Sequence, residues 1–86
     1  MKYSDLHLVI YHKLKEKANG RIVIQTCDVL EVMKRNLNHV PLLLHYRILE
    51  ELEEIQLIKK RNKMQYILIG GNADNKVRKY FQPYSR

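Results

Sequence analysis

Cysteine occurs once, at Cys27, tryptophan is absent, and the chain holds only two prolines and three glycines. A single cysteine excludes an internal disulfide framework and a cysteine-based zinc cluster. No apolar run approaches the ~20 residues that span a bilayer, and no signal-peptide pattern opens the chain, so a cytoplasmic protein with no membrane partner is expected. Acidic residues are also scarce: 9 Asp and Glu stand against 16 Lys and Arg, for a formal charge of +7. What remains is 86 residues, 45% of them hydrophobic and 29% charged, the make-up of one globular domain rather than a disordered chain. Folding at this length buries only ~60–65% of the unfolded surface, so stability is thin unless copies associate.

The positive charge is unevenly spread. Residues 1–58 hold eight cations and eight acids, and are neutral. Residues 59–86 hold Lys59, Lys60, Arg61, Lys63, Lys76, Arg78, Lys79 and Arg86 against Asp74 alone. A positive segment of this kind suits a polyanion such as nucleic acid, while a solvated tail would look the same in composition.

Hydrophobic spacing gives the order of elements. Ser4 suits a helix N-cap, and Leu6, Val9, Ile10 and Leu14 follow at helical spacing until Asn19-Gly20 stops the run. Ile22, Val23 and Ile24 form one short strand. Thr26 suits the cap of a second helix, whose inner face is Val29 or Leu30, then Met33 and Leu37. After a turn at residues 36–39, Pro41 opens a third helix with an apolar stripe of Leu44, Ile48, Leu52 and Ile55. Glu50, Glu51, Glu53 and Glu54 read as its solvated flank, set against the helix dipole. Two strand-like runs, 57–60 and 64–69, flank a basic tip at Arg61-Asn62-Lys63. Beyond Gly70-Gly71 a short helix started by Asp74 fits, ended by Pro83.

This order, with the segment Ile48-Leu49-Glu50-Glu51-Leu52-Glu53-Glu54-Ile55-Gln56-Leu57-Ile58, resembles the winged helix-turn-helix family over residues 4–69. There a "Leu-Glu-x-x-Gly-Leu-Ile" segment closes the recognition helix and enters the wing; Gln56 stands here in place of the glycine. The resemblance implies an α+β fold: a three-helix bundle with a short strand and a two-stranded wing. Residues 1–69 would be the winged-helix domain, and residues 70–86 a basic aromatic segment, docked on it or in a dimer contact. It also implies duplex DNA as partner, with the third helix in the major groove and the wing on phosphates. Carried over by position, the contacts fall on His39, Leu43, Tyr46 and Arg47 of the turn and helix, and on Lys59, Lys60, Arg61, Asn62 and Lys63 of the wing. A small transcriptional regulator acting as a homodimer through the first helix and C-terminal segment is the leading expectation.

The alternative is a protein-interaction module, because Leu42, Leu43 and Tyr46 would place an apolar face where a groove reader carries polar groups. Other constellations are weak. His7 and His12 are five apart and do not form an i,i+4 metal pair, and no cofactor or metal site is expected. His45 reads as a packed side chain that could also assist at the groove, and Cys27 as a small buried hydrophobe. Tyr66, Tyr80, Phe81 and Tyr84 lie among cations, a pattern that can stack on single-stranded bases, though docking of Tyr80 and Phe81 on the domain is favoured. Nothing argues for an enzyme.

Overall fold

In the computed structural model, which describes residues 3–81, the first helix, α1 (Tyr3–Ala18), already includes Ser4, which therefore lies within its first turn rather than ahead of it. The sequence stripe of α1 is displaced by one position. His7, Ile10, Tyr11, Leu14 and Ala18 are fully buried, whereas Leu6 and Val9 are half-buried. The displacement has a physical cause: α1 is packed by three other helices, so the residues facing all of them sink deepest. Asn19 and Gly20 both take positive φ (52° and 86°) and turn the chain toward the sheet; asparagine tolerates that region better than most residues.

The strand β1 (Val23–Gln25) begins one residue later than its β-branched run, leaving Ile22 exposed. The next helix, α2 (Thr26–Asn36), includes Thr26, so Thr26 is not its cap: Gln25 holds the cap position without a side-chain bond. The Thr26 hydroxyl instead donates to the carbonyl of Lys63 (3.1 Å), and its N–H to that of Met64 (2.7 Å). Val29, Val32, Met33 and Leu37 face the core, while Leu30 and Cys27 are exposed. The expected buried role for Cys27 is therefore wrong; the start of α2 follows the sheet edge and turns that side chain outward.

Pro41 caps α3 (Leu42–Glu54), and the buried face of this helix is His45, Ile48, Leu49 and Leu52. Leu44, expected in the stripe, is partly exposed; His45 takes the inward place one position on. The α3 terminus carries the Gln56 departure directly. Gln56 sits at φ 63°, with Leu57 N–H bonded to the Leu52 carbonyl (3.0 Å) and Gln56 N–H to that of Glu53 (3.0 Å). These are the paired bonds of a Schellman turn, closed by contact between apolar residues at its two ends, here Leu52 and Leu57.

Two further strands, β2 (Ile58–Asn62) and β3 (Gln65–Leu68), form an antiparallel hairpin, and β1 pairs with β3 to give the order β1-β3-β2. Arg61 and Asn62 belong to β2 rather than to the tip; the turn is Lys63-Met64, stabilised by the Met64 N–H donating to Asn62 Oδ1 (2.8 Å). Ladder pairing shifts between Lys60 and Asn62, which leaves Arg61 as the extra residue of a β-bulge.

Gly70 and Gly71, at φ 83° and 93°, reverse the chain into α4 (Ala73–Phe81). Its cap is Asn72, whose Oδ1 accepts the Asn75 N–H (3.0 Å), not Asp74. Ala73 and Val77 of α4 are buried in the same cluster as Ile10, Leu14, Ile48 and Leu57. Among the described residues four helices and a three-stranded antiparallel sheet thus share one core, an α+β architecture with a radius of gyration of 12.3 Å, close to the ~12 Å of a compact chain this long. Ala73 and Val77 carry the apolar docking, while Tyr80, more than a third exposed, reaches the domain through its hydroxyl, which donates to Glu54. The Phe81 side chain, Pro83, Tyr84 and Arg86 lie outside the described residues.

Candidate functional site

Two surfaces carry the candidate residues. The hairpin is the first. Only Ile58 of β2 is buried; Lys59, Lys60, Arg61 and Asn62 are exposed, as is Lys63 in the turn. Lys59 lies opposite Ile67 and Lys60 opposite Tyr66, so successive cations alternate between the two faces of the hairpin. Arg61 interrupts that alternation through the bulge and raises the local density of positive charge. Among the described residues none of these four cations is held in an ion pair; all point into water with their charge uncompensated. Asn62 is engaged in shaping the turn.

The hairpin is fixed at both ends of its length. Thr26 anchors the turn from α2. At the root, the Lys76 ammonium of α4 donates to the carbonyls of Gln56 (2.8 Å) and Gly70 (3.0 Å), two residues before β2 and two residues after β3.

The second surface is the outer side of α3. Leu42, Leu43 and Tyr46 are exposed at 64%, 82% and 51%. Leu43, Tyr46, Arg47, Glu50, Glu54 and Tyr80 border an open cleft of about 620 Å³ between α3 and α4, and no hairpin cation reaches it. The charge here is negative. Arg47 is the one lysine or arginine of α3 against four glutamates, and its Nε lies 3.9 Å from Glu51 Oε2. The hydroxyl of Tyr80 donates to Glu54. His39 is exposed in the turn before α3, with Nδ1 3.4 Å from Asn38 Oδ1. The expected set therefore divides: the five hairpin residues gather on one element, spread over its two faces, and Leu43, Tyr46 and Arg47 belong to a separate, mostly acidic surface.

His45 takes no part in either surface. Its Nε2 lies 2.7 Å from the Leu37 carbonyl and 2.9 Å from that of Val40. Carbonyls only accept, so Nε2 carries the proton and ties the α2–α3 turn to α3. His7 reads in the sequence only as one half of a rejected metal pair. It is 0% exposed, and its Nε2–H donates to Glu51 Oε1 at 3.1 Å, joining α1 to α3. Glu51 is accordingly largely buried and bonded, not part of a solvated flank. The signal available was the helical spacing of His7 with Ile10, Tyr11 and Leu14.

Tyr66 is 5% exposed, so it cannot offer a ring to a base. Among the described residues no three His, Cys, Asp or Glu side chains come together to hold a metal, and no helix is long and apolar enough to cross a membrane. No family model, curated protein or solved structure matches the chain.

Proposed function

We propose that the chain is a small winged helix-turn-helix protein that binds duplex DNA through the β2–β3 hairpin as its wing, in the service of transcription regulation. The observation that carries this reading is the cluster of Lys59, Lys60, Arg61 and Lys63: four exposed cations without ion pairs among the described residues, on a hairpin braced at turn and root. Ion-paired cations would have to break those pairs before meeting phosphate. Cations free in water need only displace counterions, and the release of counterions from DNA then drives binding. The element order helix, strand, helix, turn, helix, hairpin supports the family reading.

Affinity in this proposal comes from phosphates, with little sequence information. With four cations each neutralising a phosphate, log K should fall against log salt with a slope of roughly −3 to −4. Arg61→Glu and Lys63→Glu should weaken binding to all duplexes alike and flatten that slope by about one unit for each phosphate no longer neutralised. Binding that ignores salt, or none at about 50 mM salt, overturns the reading. Arg47→Ala tests the third helix: a loss of discrimination among sequences places it in the groove, and unchanged discrimination leaves the wing as the reader.

The second reading, a protein-interaction module, is favoured by the α3 face, where exposed Leu43 and Tyr46 adjoin Glu50 and Glu54. A phosphate backbone would be repelled by those carboxylates. Protein binding lost on Leu43→Asp while DNA binding persists would establish it.

A further inference from the structure

We infer that the outer face of α3 is a self-association surface, on which α3 of a second copy lies antiparallel across a two-fold axis. This goes beyond the DNA-binding proposal and does not depend on it. Leu43 is three and four residues from Tyr46 and Arg47, these are four and three from Glu50, and Glu54 is four further on, so the five share one side of a helix about 20 Å long. That side is polarised along its length. Its N-terminal half holds the exposed Leu43 and Tyr46 and the cation Arg47; its C-terminal half holds Glu50 and Glu54, with Tyr80 bonded over Glu54. Glu50 is in no ion pair among the described residues, and Arg47 meets Glu51 only at the long distance of 3.9 Å.

A surface with apolar and positive groups at one end and negative groups at the other is complementary to itself when reversed, which is what a two-fold axis does. Centring the axis between Ile48 and Leu49 sets Arg47 against the partner's Glu50, twice over. The same register sets Leu43 opposite the partner's Glu54, whose carboxylate is held by the Tyr80 hydroxyl, so that the leucine meets the tyrosine bonded there. Both features that make the face unsuited to phosphate, its exposed leucine and its acids, then become contacts. The first helix and α4 of the C-terminal segment, expected from sequence as dimer elements, are packed on each other within one chain, and among the described residues α3 exposes more large apolar side chains (Leu42, Leu43, Leu44 and Tyr46) than any other helix. One helix pair buries less than the ~1,600 Å² of a standard interface, so a dissociation constant in the micromolar range is expected.

Sedimentation of the whole chain without DNA, under reducing conditions so that exposed Cys27 cannot link copies, reads this directly. The wild-type chain should pass from monomer to dimer as its concentration rises through the micromolar range. Leu43→Asp should abolish the dimer; at 82% exposure that substitution leaves the core untouched, and an unchanged thermal transition of dilute protein verifies it. Arg47→Glu and Glu50→Arg should each weaken association at least tenfold, and the double variant should recover it. A chain that stays monomeric to about 1 mM overturns the inference and leaves the face to a different protein. So does a dimer indifferent to Leu43→Asp, or a double variant no stronger than the singles. DNA binding by the hairpin is measured separately by its salt slope, so the two proposals fail independently.

Discussion

Tyr11 and Tyr66 show how much a single residue depends on what surrounds it. Both are buried, and burial raises each phenol above its ordinary value, reinforced at Tyr66 by the charge of Glu53 and opposed at Tyr11 by the Gly70 backbone. The Tyr11 hydroxyl nevertheless makes no hydrogen bond of ordinary geometry. Above pH ~10 the unfolded chain releases these protons while the folded chain keeps them, so the folded state binds more protons and stability must fall as pH rises. Urea midpoints should therefore be flat in these groups up to about pH 10 and decline beyond it, less steeply in Tyr11→Phe and Tyr66→Phe. At neutral pH Tyr11→Phe should be neutral or stabilising, because a buried hydroxyl whose contact with the Gly70 backbone falls short of a well-formed hydrogen bond recovers little of its desolvation cost. At this scale the sequence was least readable. The stripe Leu6, Val9, Ile10 and Leu14 omits His7 and Tyr11, and Glu51 reads as a solvated flank, because a one-dimensional stripe shows one face of a helix, whereas α1 meets three partners. Cys27 and Leu44 failed for the converse reason: their neighbours Val29 and His45 took the inward positions.

Among the elements, the end of α3 had the clearest sequence signature and still carries strain. The Leu-Glu-x-x-x-Leu-Ile pattern marks the helix end because Leu52 and Leu57 must meet across the turn, and they do. Gln56 adopts the left-handed conformation that glycine would take freely, at a cost of about 1 kcal/mol. Gln56→Gly should raise the unfolding free energy by about 1 kcal/mol, visible as a higher urea midpoint, while keeping the carbonyl that Lys76 uses. The order and type of the elements were legible because helical spacing, β-branched runs and turn residues agree along the chain. The caps were not. Thr26 and Asp74 have the right chemistry for capping, but the neighbouring Gln25 and Asn72 hold the positions, and Thr26 is engaged by the hairpin turn 37 residues away. A bond to a distant carbonyl leaves no trace in local sequence. The hairpin tip shifted for a related reason: the bulge at Arg61 adds a residue to β2, which no propensity records.

For the whole molecule, the sequence divides at residue 69, but the core does not. Ala73 and Val77 belong to the same buried cluster as the helices. A chain ended after Gly71 should lose about 3 kcal/mol or more, from the burial of Val77 and the bonds of Lys76 together. For a chain this small that is a large part of its total stability, of the order of 4–13 kcal/mol. Thermal or urea unfolding of the shortened chain checks it, and an unchanged midpoint would show α4 to be dispensable. The candidate site was half legible from charge: the basic strip could be counted in the sequence, but its separation from the α3 face could not, because spatial neighbours are set by the packing of α4 beside α3.

The Lys76 ammonium bridges the carbonyls of Gln56 and Gly70, the two feet of the hairpin. In mechanical terms the hairpin is a beam supported at both ends: this side chain ties its feet to α4, and Thr26 holds its turn to α2. Such a beam shares a load between its supports, whereas one held at a single end swings. Force applied to Arg61 or Lys63 is thus divided between α2 at the turn and α4 at the feet and, through Val77, reaches the core. Loosening the ammonium would leave both strands paired and shift that load onto Thr26 and the β1 ladder.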